Sequence, residues 1–245
     1  MPFVAFELFG TLCTFDKVVQ KIEAILNKQH QIHDKQAKNF FYNWYNTALR
    51  DYIATSFAGR YCPLKKVLRA TLQRALINEG YTSQIDEDRF LEVLDAIGPC
   101  SDAIEALKIL SDKKEWDIWI LSTSGNRSET IEFLKRMNMT DYVDTQNILC
   151  CDDLCTSRPH PKVYSELMRM AVHRTKRIEN FYLISTYAFD LASAKNMSFR
   201  TVFLNTHEKI YAADMYSNGE PNIIGNNLVH CIQQMIEYEK TKKFL

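Results

Sequence analysis

Glu7 closes a short apolar run that begins at Phe3, and Gly10-Thr11 follow it almost at once. A carboxylate held at such a place can attack carbon as a nucleophile or relay a proton. Three more sets of polar residues end apolar runs in the same way: Ser122, the Asp152 to Arg158 loop, and Ser185 to Asp190. Together they offer carboxylates, hydroxyls and one guanidinium, the groups from which a small hydrolytic or binding site is built. No spacing of Ser, His and Asp, or of Cys and His, points to a nucleophilic triad. His160 lies between two prolines and reads as a solvated loop histidine. Cys150, Cys151 and Cys155 with His160 could together hold a metal, but structural zinc shows paired short spacings at two places in a chain. A strand end rich in thiols is the simpler reading.

The elements that must position these groups follow from periodicity. A short apolar run that meets a glycine turn is how a buried parallel strand ends. From Lys17 to Ala96 the pattern is helical, with apolar residues at Val18, Ile22, Ile25 and Leu26, then Phe41, Trp44, Ala48, Leu49 and Tyr52, then Leu64, Val67, Leu68 and Leu72, then Phe90, Val93 and Leu94. Breaks at His30 to Asp34, Gly59 to Pro63 and Gly80 to Asp86 divide it into a bundle of about four helices. Gly98-Pro99 closes the bundle. Helices and strands then alternate: helix Ser101 to Asp112, strand Asp117 to Ser122, helix Arg127 to Met137, strand Asn147 to Cys151, helix Pro161 to His173, strand Phe181 to Ser185, helix Phe189 to Lys195, strand Thr201 to Asn205, and a last helix from Asn226 to Glu239. Alternation of this kind makes a parallel sheet with crossover helices. The reading is an α/β chain with a Rossmann-like core at 1–15 and 97–245 and an inserted helical bundle at 16–96. Ligands of open α/β sheets bind beyond the carboxyl ends of the strands, where Glu7, Ser122, the Arg158 loop and Ser185 to Asp190 all fall.

Composition narrows the function. The 245 residues are 46% hydrophobic and 24% charged, with zero formal net charge. That balance fits a globular fold and gives no reason to expect nucleic acid or an anionic membrane as partner. The seven cysteines are odd in number and scattered, which reads as reduced intracellular thiols. The Phe3 to Leu12 run is too short for a membrane span, and the fold is expected to begin close to Met1, in cytoplasm or nucleus.

Phe6-Glu7-Leu8-Phe9-Gly10-Thr11-Leu12 resembles the first motif of the 2-haloacid dehalogenases, in the haloacid dehalogenase (HAD) superfamily. Ile120-Leu121-Ser122 with Gly125-Asn126 is similar to their second motif, Arg158-Pro159-His160-Pro161-Lys162-Val163-Tyr164 to the third, and Ser185-Thr186-Tyr187-Ala188-Phe189-Asp190 with Phe199-Arg200-Thr201-Val202 to the fourth. The four occur in order over nearly the whole chain, and the helical insert falls where the family has its cap. The resemblance implies the HAD fold, no cofactor and no metal, and a ligand in the cleft between core and cap. It implies catalytic positions at Glu7, Thr11, Ser122, Arg158 and Asp190, and substrate-binding positions at Tyr45, Thr123, Tyr164, Ser185 and Tyr187.

Departures from the pattern bear on the chemistry. The family attacks with an aspartate, and Glu7 is one methylene longer. Its lysine is Arg158 here, its cap arginine is Tyr45, and its fourth-motif asparagine is Tyr187. Arginine is a planar fork and not a substitute for lysine at a tight site. Either Glu7 and Arg158 form a bidentate ion pair that occupies the attacking oxygens, or the two never meet. Phe9 stands where the family's metal-dependent phosphatases carry a second aspartate, so that branch fits less well. Two functions follow: an impaired or inactive HAD-like protein acting through a small ligand or a protein partner, or a working hydrolase in which Glu7 attacks and Asp190 guides water.

Overall fold

The first strand, β1 (Phe3–Glu7), is buried along its whole length, as a strand in the middle of a parallel sheet must be. This is seen in a computed structural model that describes residues 2–30, 32–81, 85–176 and 180–242. A short strand β2 (Cys13–Thr14) follows, then α1 (Asp16–His30), α2 (Asp34–Phe57), α3 (Leu64–Asn78) and α4 (Glu87–Leu91), the last running into a 3-10 turn at Glu92–Ala96. After β3 (Gly98–Pro99) come α5 (Ala103–Asp112), β4 (Asp117–Ser122), α6 (Arg127–Arg136), β5 (Ile148–Cys150), α7 (Cys151–Leu154), α8 (Pro161–Thr175), β6 (Phe181–Ser185), α9 (Ala188–Asn196), β7 (Arg200–Leu204), β8 (Ile223–Gly225) and α10 (Leu228–Lys242).

The chain divides into two units, Met1–Cys13 with Pro99–Leu245, and Thr14–Gly98. The first is built on a six-stranded sheet in the order β5-β4-β1-β6-β7-β8, all pairs parallel. β1 lies between β4, with Glu7 opposite Leu121, and β6, with Phe6 opposite Ile184. From β4 the chain steps outward to β5, and from β6 it steps the other way to β7 and β8, so the winding reverses around β1, the point at which open α/β sheets form a ligand crevice.

The second unit is helical. Phe40, Phe41, Trp44, Ala48 and Tyr52 on α2, Leu64, Leu68 and Leu72 on α3, and Val18, Ile22 and Leu26 on α1 are buried, each set at helical spacing. Trp44 donates through Nε1 to the Leu68 carbonyl and to Thr71 Oγ1, each at 3.2 Å, which satisfies the polar edge of a fully buried ring.

The architecture is the one the sequence predicts, with local differences. The strand expected at Asn147 to Cys151 is shorter at both ends. Asn147 spends its amide on Asp117 Oδ1 (2.8 Å) and the Ile118 carbonyl (3.0 Å), and Cys151 already opens α7. β7 begins one residue early, at Arg200, whose guanidinium lies over the Tyr182 ring. β8 is not marked in the sequence: three residues, Ile-Ile-Gly, are too few to show a period. Part of the expected Gly80 to Asp86 break, residues 82–84, lies outside the described residues. Among the described residues no helix is long and apolar enough to cross a membrane.

Candidate active site

The pairing of β1 with β4 continues one step past Glu7, since Leu8 N donates to the Leu121 carbonyl at 3.1 Å. The chain then turns back on itself. Leu12 N and Cys13 N both donate to the Leu8 carbonyl, at 3.2 and 3.0 Å, and Gly10 sits at φ +92, where a side chain would be strained. This turn returns Thr11 to the strand end, where its hydroxyl donates to Glu7 Oε2 at 2.7 Å. The Phe9 amide also donates to the Glu7 carboxylate. Thr11 Oγ1 in turn accepts the Thr186 amide at 3.2 Å, which joins the loops after β1 and β6.

Arg158 arrives from the loop between α7 and α8. His160 caps α8, its Nδ1 accepting the Lys162 amide at 3.1 Å, so the histidine read as merely solvated has a structural partner. The Arg158 guanidinium spreads over three acceptors. Nη2 donates to Glu7 Oε1 at 3.1 Å, Nη1 to Asp190 Oδ2, and Nε and Nη2 to Thr123 Oγ1 at 3.1 and 2.5 Å. The other Asp190 oxygen, Oδ1, accepts from the Tyr164 hydroxyl. Glu7, Thr11, Thr123, Tyr164, Arg158 and Asp190 are all at most 2% exposed. One of the two readings of Glu7 and Arg158 therefore holds in modified form: they meet, through a single oxygen, while the rest of the fork goes to Asp190 and Thr123.

The remaining expected site residues stand differently. Ser122 Oγ donates to the Ser124 carbonyl at 2.8 Å, and Ser185 Oγ accepts the Tyr187 amide at 3.1 Å, so both hydroxyls are engaged in their own loops. Tyr187 is buried against Phe189 and His207, with ring centroids at 5.4 and 5.2 Å. Tyr45 belongs to the helical unit, where it stacks on Phe41 at 5.7 Å and meets Phe15 at 4.9 Å. Sequence reasoning missed Glu208, whose carboxylate accepts the Ala188 amide at 2.7 Å and so caps the start of α9. It comes from an irregular segment after β7, where no period marks it.

Burial dominates the electrostatics. It pushes the Glu7 carboxyl up to about 7, against the opposing pull of Arg158 and the Thr11 hydroxyl. Burial also works against the charge on Arg158, but the Asp190 and Glu7 carboxylates outweigh it and hold the guanidinium well above its ordinary value. The Tyr164 hydroxyl is raised well above its usual range by burial and by Asp190 beside it. Two carboxylates share one cation, and a proton on Glu7 relieves the excess negative charge.

Among the described residues, no three His, Cys, Asp or Glu side chains are placed to hold a metal ion. The cysteine set is spent elsewhere: Cys150 pairs with Thr130 Oγ1 at 3.3 Å, and Cys155 is exposed. Asp152 and Asp153 accept the Gly125 and Arg127 amides at 2.7 and 3.0 Å, which fixes the start of α6.

Comparison with known proteins agrees with the fold. The family model described as haloacid dehalogenase-like hydrolase matches residues 2–177, so the chain belongs to the haloacid dehalogenase-like hydrolase family. No curated protein matches it in sequence. In structure it is similar to the L-2-haloacid dehalogenase of Xanthobacter autotrophicus, at 17% identity and a TM-score of 0.74 over 96% of this chain and 98% of that one. The same enzyme with chloropropionic acid covalently bound gives 18% and 0.74 over the same shares. The L-2-haloacid dehalogenase RSc1362 gives 17% and 0.80 over 96% of this chain and 99% of that one. At such identities the likeness speaks to the fold.

Proposed function

We propose that this chain is a HAD-like protein in which dehalogenase-type hydrolysis is impaired or lost, and which acts by binding a small ligand or a protein partner inside the cell. In this reading residues 16–96 are the cap of a core formed by 1–15 and 97–245. One observation carries it: both oxygens of the fully buried Glu7 are already engaged, Oε1 by Arg158 and Oε2 by Thr11. A nucleophile needs a free, ionised oxygen on the line to carbon, and a displacement of about 1 Å lowers the rate by about a hundredfold. Glu7 is neither free nor, near neutral pH, fully ionised.

The test is turnover of 2-haloacids and of a panel of phosphate esters by the purified protein. The expected result is none for the parent; a gain of dehalogenation in the double variant Glu7→Asp, Arg158→Lys, which shortens the acid and removes the fork, would show that the defect lies in the geometry of these two residues. Parental turnover that Glu7→Gln abolishes would overturn the reading and make Glu7 the nucleophile of a working hydrolase.

A further inference from the structure

The crevice where the sheet's winding reverses is the place an open α/β sheet keeps for a ligand, and here it lies between the loops that follow β1 and β6. Gly10, in the first loop, has no side chain and holds a φ of +92. Directly above it stands the Tyr187 ring from the second loop: a Cβ at Gly10 would lie 3.2 Å from the phenol oxygen and 3.5 Å from Cε2. Thr186 Oγ1 would be 3.4 Å from the same point, and it is a fully buried hydroxyl with no hydrogen-bond partner among the described residues. Buried hydroxyls are nearly always paired, so this one marks a place built for another polar atom. The Thr186 amide lies one hydroxyl away from Glu7, through Thr11.

We propose that Tyr187 is a built-in plug: its ring fills the ligand crevice over Gly10, and without it the crevice takes a small, uncharged, hydrogen-bonding molecule of about phenol size that pairs with the Thr186 hydroxyl. The class follows from the surroundings. Glu7 and Asp190 share a single cation, Arg158, and Glu208 lies beside the Tyr187 loop, so an anion is disfavoured. Packing against Phe189 and His207 holds the ring in place, so the space that its removal leaves is that of a flat molecule. The proposal rests on the reading above that Glu7 does not turn over a substrate, and concerns what fills the space beside it.

The experiment is modification of Glu7 in the full-length protein by a water-soluble carbodiimide with an amine, followed by peptide mass mapping. Tyr187→Ala and Tyr187→Gly should label Glu7 faster than the parent by about tenfold or more, since a local path replaces a larger opening. Tyr187→Phe should behave as the parent. Added phenol should return the two small variants to the parental rate and raise their melting temperature. Equal labelling of parent and Tyr187→Ala, or fast labelling that phenol leaves unchanged, overturns the proposal. Should the small variants not fold, Thr186→Val in the parent decides: an unpartnered hydroxyl can be lost without lowering the melting temperature, whereas a clear drop shows that it is paired and refutes the site. Parental haloacid turnover at Glu7 would sink the proposed function and the plug together, whereas equal labelling in a parent without turnover would sink the plug alone.

Discussion

Arg158 is asked to neutralise two carboxylates while fully buried, and the consequence is a pH dependence that can be read from one residue. In the unfolded chain Glu7 ionises at its ordinary value of 4.5, and in the folded chain at about 7. The folded state therefore binds the proton more tightly, so stability from this group is fully present below 4.5 and is lost as pH rises through about 7. A tenfold change in proton affinity is worth about 1.4 kcal/mol, which makes the loss a few kcal/mol at most. Urea unfolding at pH 5 and pH 8 should show the parent losing stability relative to Glu7→Gln, which has no proton to release. A difference between the two proteins that stays flat over that range would refute the assignment. That Glu7 stands at a strand end was legible from the apolar run before it and the Gly-Thr after it. That its carboxylate faces Arg158, Thr11 and the Phe9 amide was not, because side-chain direction past the last paired residue depends on how the loop folds back.

At the scale of elements, polar clusters fasten helices to the sheet. Glu239 on α10 accepts from the Tyr182 hydroxyl at 2.5 Å, from Asn180 Nδ2 at 2.7 Å, and from Arg200 Nη1, also at 2.5 Å. Arg200 is held in turn between the Tyr182 and Tyr238 rings, at 5.4 and 5.5 Å. Removing the acceptor strands the Tyr182 hydroxyl and the Asn180 amide and leaves Arg200 Nη1 only the Tyr182 oxygen, at 2.7 Å, so Glu239→Ala should destabilise by about 2–4 kcal/mol, measured as a shift in the urea midpoint. Glu166→Ala, which breaks an exposed i,i+3 pair with Arg169, should leave that midpoint unmoved. A Glu239→Ala midpoint equal to the parent's would show that α10 is held by its apolar face alone. The sequence marks α10 by its helical period and β6 by its apolar run, but nothing in it joins residue 239 to residues 180, 182 and 200. β8 escaped for the opposite reason: it is an edge strand with Ile224 45% exposed, and its three residues carry too little pattern.

At the scale of the molecule, the split into Met1–Cys13 with Pro99–Leu245 and Thr14–Gly98 gives each unit a core of its own. β2 and β3 pair in a two-stranded sheet where the chain leaves the sheet unit and returns, so the two ends of the insert lie close together. Replacing residues 15–97 with a short glycine-serine linker should therefore leave a protein that keeps the α/β circular dichroism signature and unfolds in one cooperative urea transition. Loss of cooperativity would mean that the sheet depends on the helical unit for its stability. The sequence by itself determined the order of the long helices and the main strands, the family and the positions of Glu7, Arg158 and Asp190 at or after strand ends, because periodicity and chain order are local properties. Only the tertiary structure decided that one arginine divides itself between two acids and a threonine, and that Tyr187 stands over Gly10. Those contacts join residues 151 and 32 positions apart, or loops from different strands, and are fixed by how the sheet winds around β1.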